Sequence, residues 1–90
     1  MVYELTANFI KDYKKCDLSI KRKVDDRLSL FIKNHLDPAL RNHALNGTYL
    51  GYRSINITGD WRALYMVKDA KSDNRIATFE LLGTHSQLYK

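Results

Sequence analysis

Apolar and polar positions change their period twice along this chain. Val2 to Leu5 is a short β-prone run and reads as a strand. Thr6 or Asn8 can cap a helix behind it, since either side-chain oxygen can accept from the exposed N–H groups of a first turn. Phe9, Tyr13 and then Cys16 or Asp17 follow at helical spacing. A second helix starts at Asp17 or Ser19, with Ile20, Val24, Leu28, Phe31 and Ile32 on one stripe and Lys21, Arg22, Lys23, Asp25, Asp26 and Arg27 as its solvated face. It must stop by Asp37, because Pro38 disfavours helical geometry in the residue before it. The two helices read as a hairpin with one apolar seam.

From Leu40 the period shortens. Asn46-Gly47 marks a turn. Gly51 to Ile57 is a strand in which Ile55 and Ile57 take one face and Ser54 and Asn56 the other. Thr58-Gly59-Asp60 is a hairpin turn, Trp61 to Val67 a strand, Asp69 to Asn74 a polar loop and Arg75 to Leu82 a further strand ending at Gly83. The last seven residues form either a short helical turn or an extended tail. The order β-α-α-β-β-β predicts an α+β fold, a helical hairpin packed on one face of a curved, mainly antiparallel sheet whose other face stays partly open. Residues 1–90 are expected to be one domain, without repeats or linkers.

Charge narrows the partner. Fifteen Lys and Arg against ten Asp and Glu give a net charge of +5, and Lys11, Lys14, Lys15, Lys21, Arg22, Lys23 and Arg27 crowd one stretch, which suits a polyanion such as nucleic acid. The single cysteine, Cys16, excludes an internal disulfide framework and offers no zinc pair. Every hydrophobic segment is interrupted by charge, so neither a signal peptide nor a membrane span is expected, and the chain reads as cytoplasmic.

His35, His43 and His85 are the side chains suited to acid–base work near neutrality. His35 falls at a helix C-terminus and is given no catalytic role. His43 and His85 border the sheet in loops, where scaffolded chemistry concentrates. Asp60 is a plain turn former, a proton acceptor or a group that orients a histidine. Trp61, Tyr65 and Phe79 are expected in the core, with the alternative that an exposed Trp61 stacks an unpaired base. Arg53 and Arg62 can each bind phosphate through two N–H groups. No close-spaced ligand pair supports a metal, no Walker-type loop is present, and no cofactor is expected.

Two segments add specificity. HALNGTYLGYRSINITGDWRALY, His43 to Tyr65, resembles the central H-x-L-x-G, G-x-R, D-W and L-x-Y pattern of YafQ-like toxins in the RelE/ParE superfamily. LLGTHSQLY, Leu81 to Tyr89, resembles their terminal G-T-H-x-x-L-[FY]. The resemblance implies a toxin of a type II toxin–antitoxin system, a ribosome-dependent mRNA endoribonuclease in which the RNA's own 2′-hydroxyl attacks the adjacent phosphate without a metal. It makes His85 the general acid, His43 and Asp60 candidates for the base or its orienting group, and Arg62 a phosphate stabiliser. Asn56, Trp61 and Tyr89 become substrate contacts, and Arg53 either assists as a further substrate contact or is structural. It implies a cognate antitoxin, the ribosome and mRNA as partners, with a monomer when free and a higher-order complex with antitoxin.

Two positions depart from the pattern. Asn56 stands where many YafQ-like toxins carry histidine, and asparagine cannot shuttle a proton, so it is left to orient substrate. Leu81 and Leu82 stand where many carry an arginine, which leaves Arg62 to restore the cation. The same fold also serves ParE-like gyrase inhibitors, and Asn56 suits a catalytically degenerate antitoxin-binding partner. The terminal G-T-H and His43 favour the nuclease, because a pure binder needs neither.

Overall fold

The computed structural model describes residues 1–68 and 75–89. Strand β1 (Val2–Leu5) leads into α1 (Ala7–Lys15) and α2 (Leu18–Lys33). Thr6 is the first cap, its Oγ1 accepting from Phe9 N at 3.1 Å, and Asp17 is the second, its carboxylate accepting from Ile20 N at 2.9 Å. Asn8 instead donates from Nδ2 to the Glu80 carbonyl at 3.1 Å. Helix α2 stops at Lys33, and Pro38 begins a 3-10 turn over Pro38–Leu40. Then come β2 (His43–Ala44), a second 3-10 turn (Gly47–Tyr49), β3 (Arg53–Asn56), β4 (Trp61–Lys68), β5 (Ile76–Thr84) and the short helix α3 (His85–Leu88). The expected polar loop from Asp69 to Asn74 lies outside the described residues.

The five strands run in the order β1-β5-β4-β3-β2, with β1 parallel to β5 and the other pairs antiparallel. This is the expected α+β sheet with one addition, the two-residue β2, which pairs His43 with Ser54 and Ala44 with Arg53. Between β4 and β5 the register slips, Leu64 facing Leu81 and Tyr65 facing Phe79, so Glu80 is an extra residue on β5. A bulge of this kind bends the sheet locally.

The helices cover one face. Phe9 of α1 and Val24, Leu28 and Phe31 of α2 are buried with Ile55, Ile57, Ala63, Tyr65, Ala77 and Phe79. Phe31, Tyr65 and Phe79 form a closed aromatic trio with ring centroids 5.0–5.3 Å apart. Ile32, expected on the apolar stripe, is 53% exposed. Phe31 already completes the spacing begun by Val24 and Leu28, and the next residue turns about 100° off that stripe.

At the far edge the Glu4 carboxylate accepts from Thr78 Oγ1 at 2.8 Å and from Lys68 Nζ at 3.0 Å, clasping β1 and β4 across β5. The Thr78 bond first, then Lys68, holds the Glu4 pKa below its ordinary value. A carboxylate with a depressed folded pKa contributes stability above its unfolded value, and that contribution disappears as pH falls through the folded one. Thermal melts of Glu4→Gln should therefore lie below wild type at neutral pH, with the gap closing in acid. Phe79 packs against four other aromatic rings, those of Tyr3, Phe9, Phe31 and Tyr65, so Phe79→Ala is expected to cost about 3–5 kcal/mol in denaturant unfolding.

Candidate active site

Strand alternation sends Ser54 and Asn56 to the face opposite the helices, as expected from the sequence, and that face carries a cleft of about 440 Å³. Its lining is Arg41, His43, Leu45, Ser54, Asn56, Arg62, His85 and Tyr89. Five residues read from the sequence as site residues thus meet in one place, although His43 and His85 are 42 positions apart in the chain.

His43 is set by the turn before it. Arg41 follows the Pro38–Leu40 turn with φ 46° and ψ 46°, in the left-handed region. That conformation brings the Arg41 carbonyl to 2.7 Å from His43 Nδ1. A carbonyl oxygen only accepts, so Nδ1 carries the hydrogen, and in the neutral ring Nε2 keeps its lone pair.

His85 is set by the start of α3. Thr84 Oγ1 accepts from Gln87 N at 3.3 Å and Gln87 Oε1 accepts from Thr84 N at 2.8 Å, a reciprocal capping box. His85 N donates to the Asp60 carbonyl at 2.9 Å, fastening α3 to the β3–β4 hairpin. The helix sits directly on Gly83, where a Cβ would come within 3.0 Å of Gln87 Oε1 and 3.4 Å of Leu88. Tyr49 Oη donates to the Leu88 carbonyl at 2.6 Å and packs edge-on against Tyr89, whose ring lies 4.7 Å from that of His85.

Arg62 reaches the cleft from β4. Its Nη1 donates to the Thr58 and Trp61 carbonyls at 3.0 and 3.2 Å, which fixes the guanidinium while leaving Nε and Nη2 for an anion. Among the described residues no carboxylate lines the cleft. Among the described residues no three His, Cys, Asp or Glu side chains converge as a metal site.

Three expected site residues lie elsewhere. Asp60 is exposed in the hairpin, and it meets the site through its main-chain carbonyl under His85. Trp61 packs against the core and borders a separate crevice with Asp12, Lys15, Cys16, Leu82 and Gln87. Arg53 shares the parity of Ile55 and so points to the helix side, where its Nε donates to Asn42 Oδ1 at 2.9 Å. Asn42 in turn donates from Nδ2 to Tyr65 Oη at 2.7 Å and to the His35 carbonyl at 2.9 Å. Conversely, Arg41, Leu45 and Ser54 line the cleft without having been singled out. The only signal for Arg41 was its place two residues before His43.

A helical hairpin on one face of the sheet and a histidine–arginine cleft on the other give this chain the fold of the YafQ-like toxins. A family model described as the bacterial toxin of type II toxin–antitoxin systems, YafQ, matches residues 1–90, and the chain belongs to that family. The mRNA interferase toxin YafQ of Escherichia coli K12 is 31% identical to it, the alignment covering 96% of this chain and 92% of that protein. The crystal structure of YafQ from E. coli BL21(DE3) superposes with a TM-score of 0.72 at 28% identity, covering 98% of this chain and 97% of that one. YafQ in the E. coli DinJ–YafQ complex gives 0.71 at 27% identity with the same coverage.

Ser54 carries a cost that can be measured. It is fully buried, flanked by His43 and Leu64 on the neighbouring strands, and its Oγ has no hydrogen-bond partner. An unsatisfied buried hydroxyl destabilises by about 1–3 kcal/mol. Ser54→Ala is expected to raise the denaturant midpoint by an amount equivalent to about 1 kcal/mol.

Proposed function

We propose that this chain is an mRNA interferase, an endoribonuclease that cuts mRNA on the ribosome as the toxin of a type II toxin–antitoxin system. Residues 1–90 act as a single toxin domain in the cytoplasm. The observation that carries the reading is the pairing, in one cleft, of a tautomer-fixed His43 with a helix-mounted His85 beside the tethered Arg62.

The reaction uses these groups in order. His43 Nε2 takes the proton from the 2′-hydroxyl, and the 2′ oxygen attacks the adjacent phosphorus. As that bond forms, the bond from phosphorus to the 5′ oxygen breaks, and protonated His85 gives its proton to the leaving oxygen. The products are a 2′,3′-cyclic phosphate and a free 5′-hydroxyl. Arg62 stabilises the charge that accumulates on the phosphorane oxygens. Asn56 hydrogen-bonds substrate from the cleft wall, and Tyr89 packs beside it. His43 is preferred over Asp60 as the base because the Asp60 side chain is outside the cleft lining. No step needs a metal, and two guanidinium groups in the lining would repel a cation.

The partner that silences the toxin is a cognate antitoxin. The support is the DinJ–YafQ assembly of the E. coli relative. On this chain, Ile10, Leu18, Ile32, Leu36 and Leu50 are exposed and available for such a chain to cover, and the net charge of +5 favours an acidic one. The free toxin is expected to be a monomer.

Primer extension on mRNA from cells briefly expressing the chain tests the proposal. Discrete new 5′ ends within translated codons are expected, and His43→Ala and His85→Ala should each reduce cleavage at least about 100-fold while leaving the melting curve in place. Wild-type cleavage by His85→Ala would remove it as the acid. Growth arrest with supercoiling inhibited and no new ends would turn the reading to a gyrase inhibitor, and no arrest at all to a degenerate antitoxin partner.

A further inference from the structure

We propose that Arg41 is a second phosphate-binding residue of the cleft, holding the RNA phosphodiester from the β2 side as Arg62 holds it from β4. The inference rests on the reading of the cleft as the RNA-cleaving site. Three observations lead to it.

The first is charge. Arg41 is exposed, lines the same cleft as His43, Arg62 and His85, and makes no side-chain hydrogen bond or ion pair among the described residues. Among the described residues no carboxylate lines the cleft to serve as its counterion, and an anion from outside would complete the cleft electrostatically.

The second is strain. Arg41 is the only non-glycine residue among those described with a positive φ. Cβ crowds the backbone there, a cost that glycine would not incur. The backbone geometry alone calls for glycine, so the side chain is what arginine adds at this position.

The third is coupling. The same left-handed residue that projects the guanidinium also supplies the carbonyl that receives His43 Nδ1–H at 2.7 Å. One backbone conformation therefore sets both the base and a cation beside it, so a phosphate held by Arg41 has its neighbouring 2′-hydroxyl near His43. Two guanidinium groups approaching from different strands can each offer paired N–H donors to the equatorial oxygens, whose charge grows as the phosphorane forms.

Arg41→Gly separates the side chain from the backbone, since glycine adopts the left-handed turn freely and keeps the carbonyl on His43. Its melting midpoint should be no lower than wild type. On ribosomes programmed with a defined message, single-turnover cleavage should fall at least about tenfold, with Arg41→Lys recovering part of the loss as a point charge without the fork. Binding to an RNA oligonucleotide carrying a single 2′-deoxy residue, which blocks attack, should lose about 0.7 from the slope of log affinity against log salt, the share of one phosphate contact on a single strand. Wild-type cleavage and an unchanged salt slope in Arg41→Gly would overturn the proposal. The two readings fail separately: if His85→Ala is inactive while Arg41→Gly is fully active, only the role of Arg41 falls, whereas an active His85→Ala removes the cleft mechanism on which it rests.

Discussion

The 2.7 Å hydrogen bond from Asn42 Nδ2 to Tyr65 Oη joins the core of this domain to its cleft. Tyr65 is fixed from one side by the aromatic rings of Phe31 and Phe79, among the most buried side chains of the fold. Its hydroxyl emerges at the edge of that packing and holds Asn42, which also ties down the His35 carbonyl and the Arg53 guanidinium. Asn42 lies between Arg41 and His43. A turn held this firmly on one side can keep its neighbour in a left-handed conformation that would relax in a free loop. The position of the His43 ring is thus inherited from the packing of Phe31, Tyr65 and Phe79, through one amide side chain.

The opposite wall is built by a different device. The α3 segment is too short to be stable alone, a four-residue helix far below the length at which helices persist in water. It persists because the capping box closes its first turn, the Asp60 carbonyl takes the His85 N–H, Tyr49 grips the Leu88 carbonyl and Gly83 lets it settle onto the sheet. Asp60 therefore has a structural function that its carboxylate does not reveal. The two histidines are held by unrelated means, one through the core and one through a cap, and this leaves the cleft between them free of packing duties.

How much of this was legible depended on whether a residue's position followed from a period. Val24, Leu28 and Phe31 recur at helical spacing, and they form the core. Thr6 and Asp17 precede their helices with oxygens that have only one useful thing to do, and they cap. The G-T-H tail and the H-x-L-x-G segment brought His43 and His85 together through resemblance, because no local spacing relates residues so distant. Two-residue β2 has no period to read, so the left-handed turn at Arg41 and the burial of Ser54 beneath its neighbours were invisible. Arg53 was left open between a substrate contact and a structural residue. The alternation that sends Ile55 and Ile57 inward sends Arg53 the same way, to Asn42, which favours the structural alternative.

The departures from the family pattern follow one logic in space. Leu81 and Leu82 stand where the resemblance to YafQ-like toxins leads one to expect an arginine, and Leu81 faces Leu64 across the β4–β5 pair. Arg62 lies two residues before Leu64 on the same face of β4, so a guanidinium there stands one strand over and one step along from the vacated position. Carbonyls of Thr58 and Trp61 then aim it into the cleft. At Asn56, opposite Arg62 in the β3–β4 register, a titrating ring is exchanged for a neutral amide. Placed directly across from a cation, a histidine would be pressed towards its neutral form, whereas an amide bears no charge to be opposed and still offers a donor and an acceptor. A guanidinium on β4 and a neutral amide facing it are compatible neighbours, and on the proposed reading His43 and His85 are then the groups left for proton transfer.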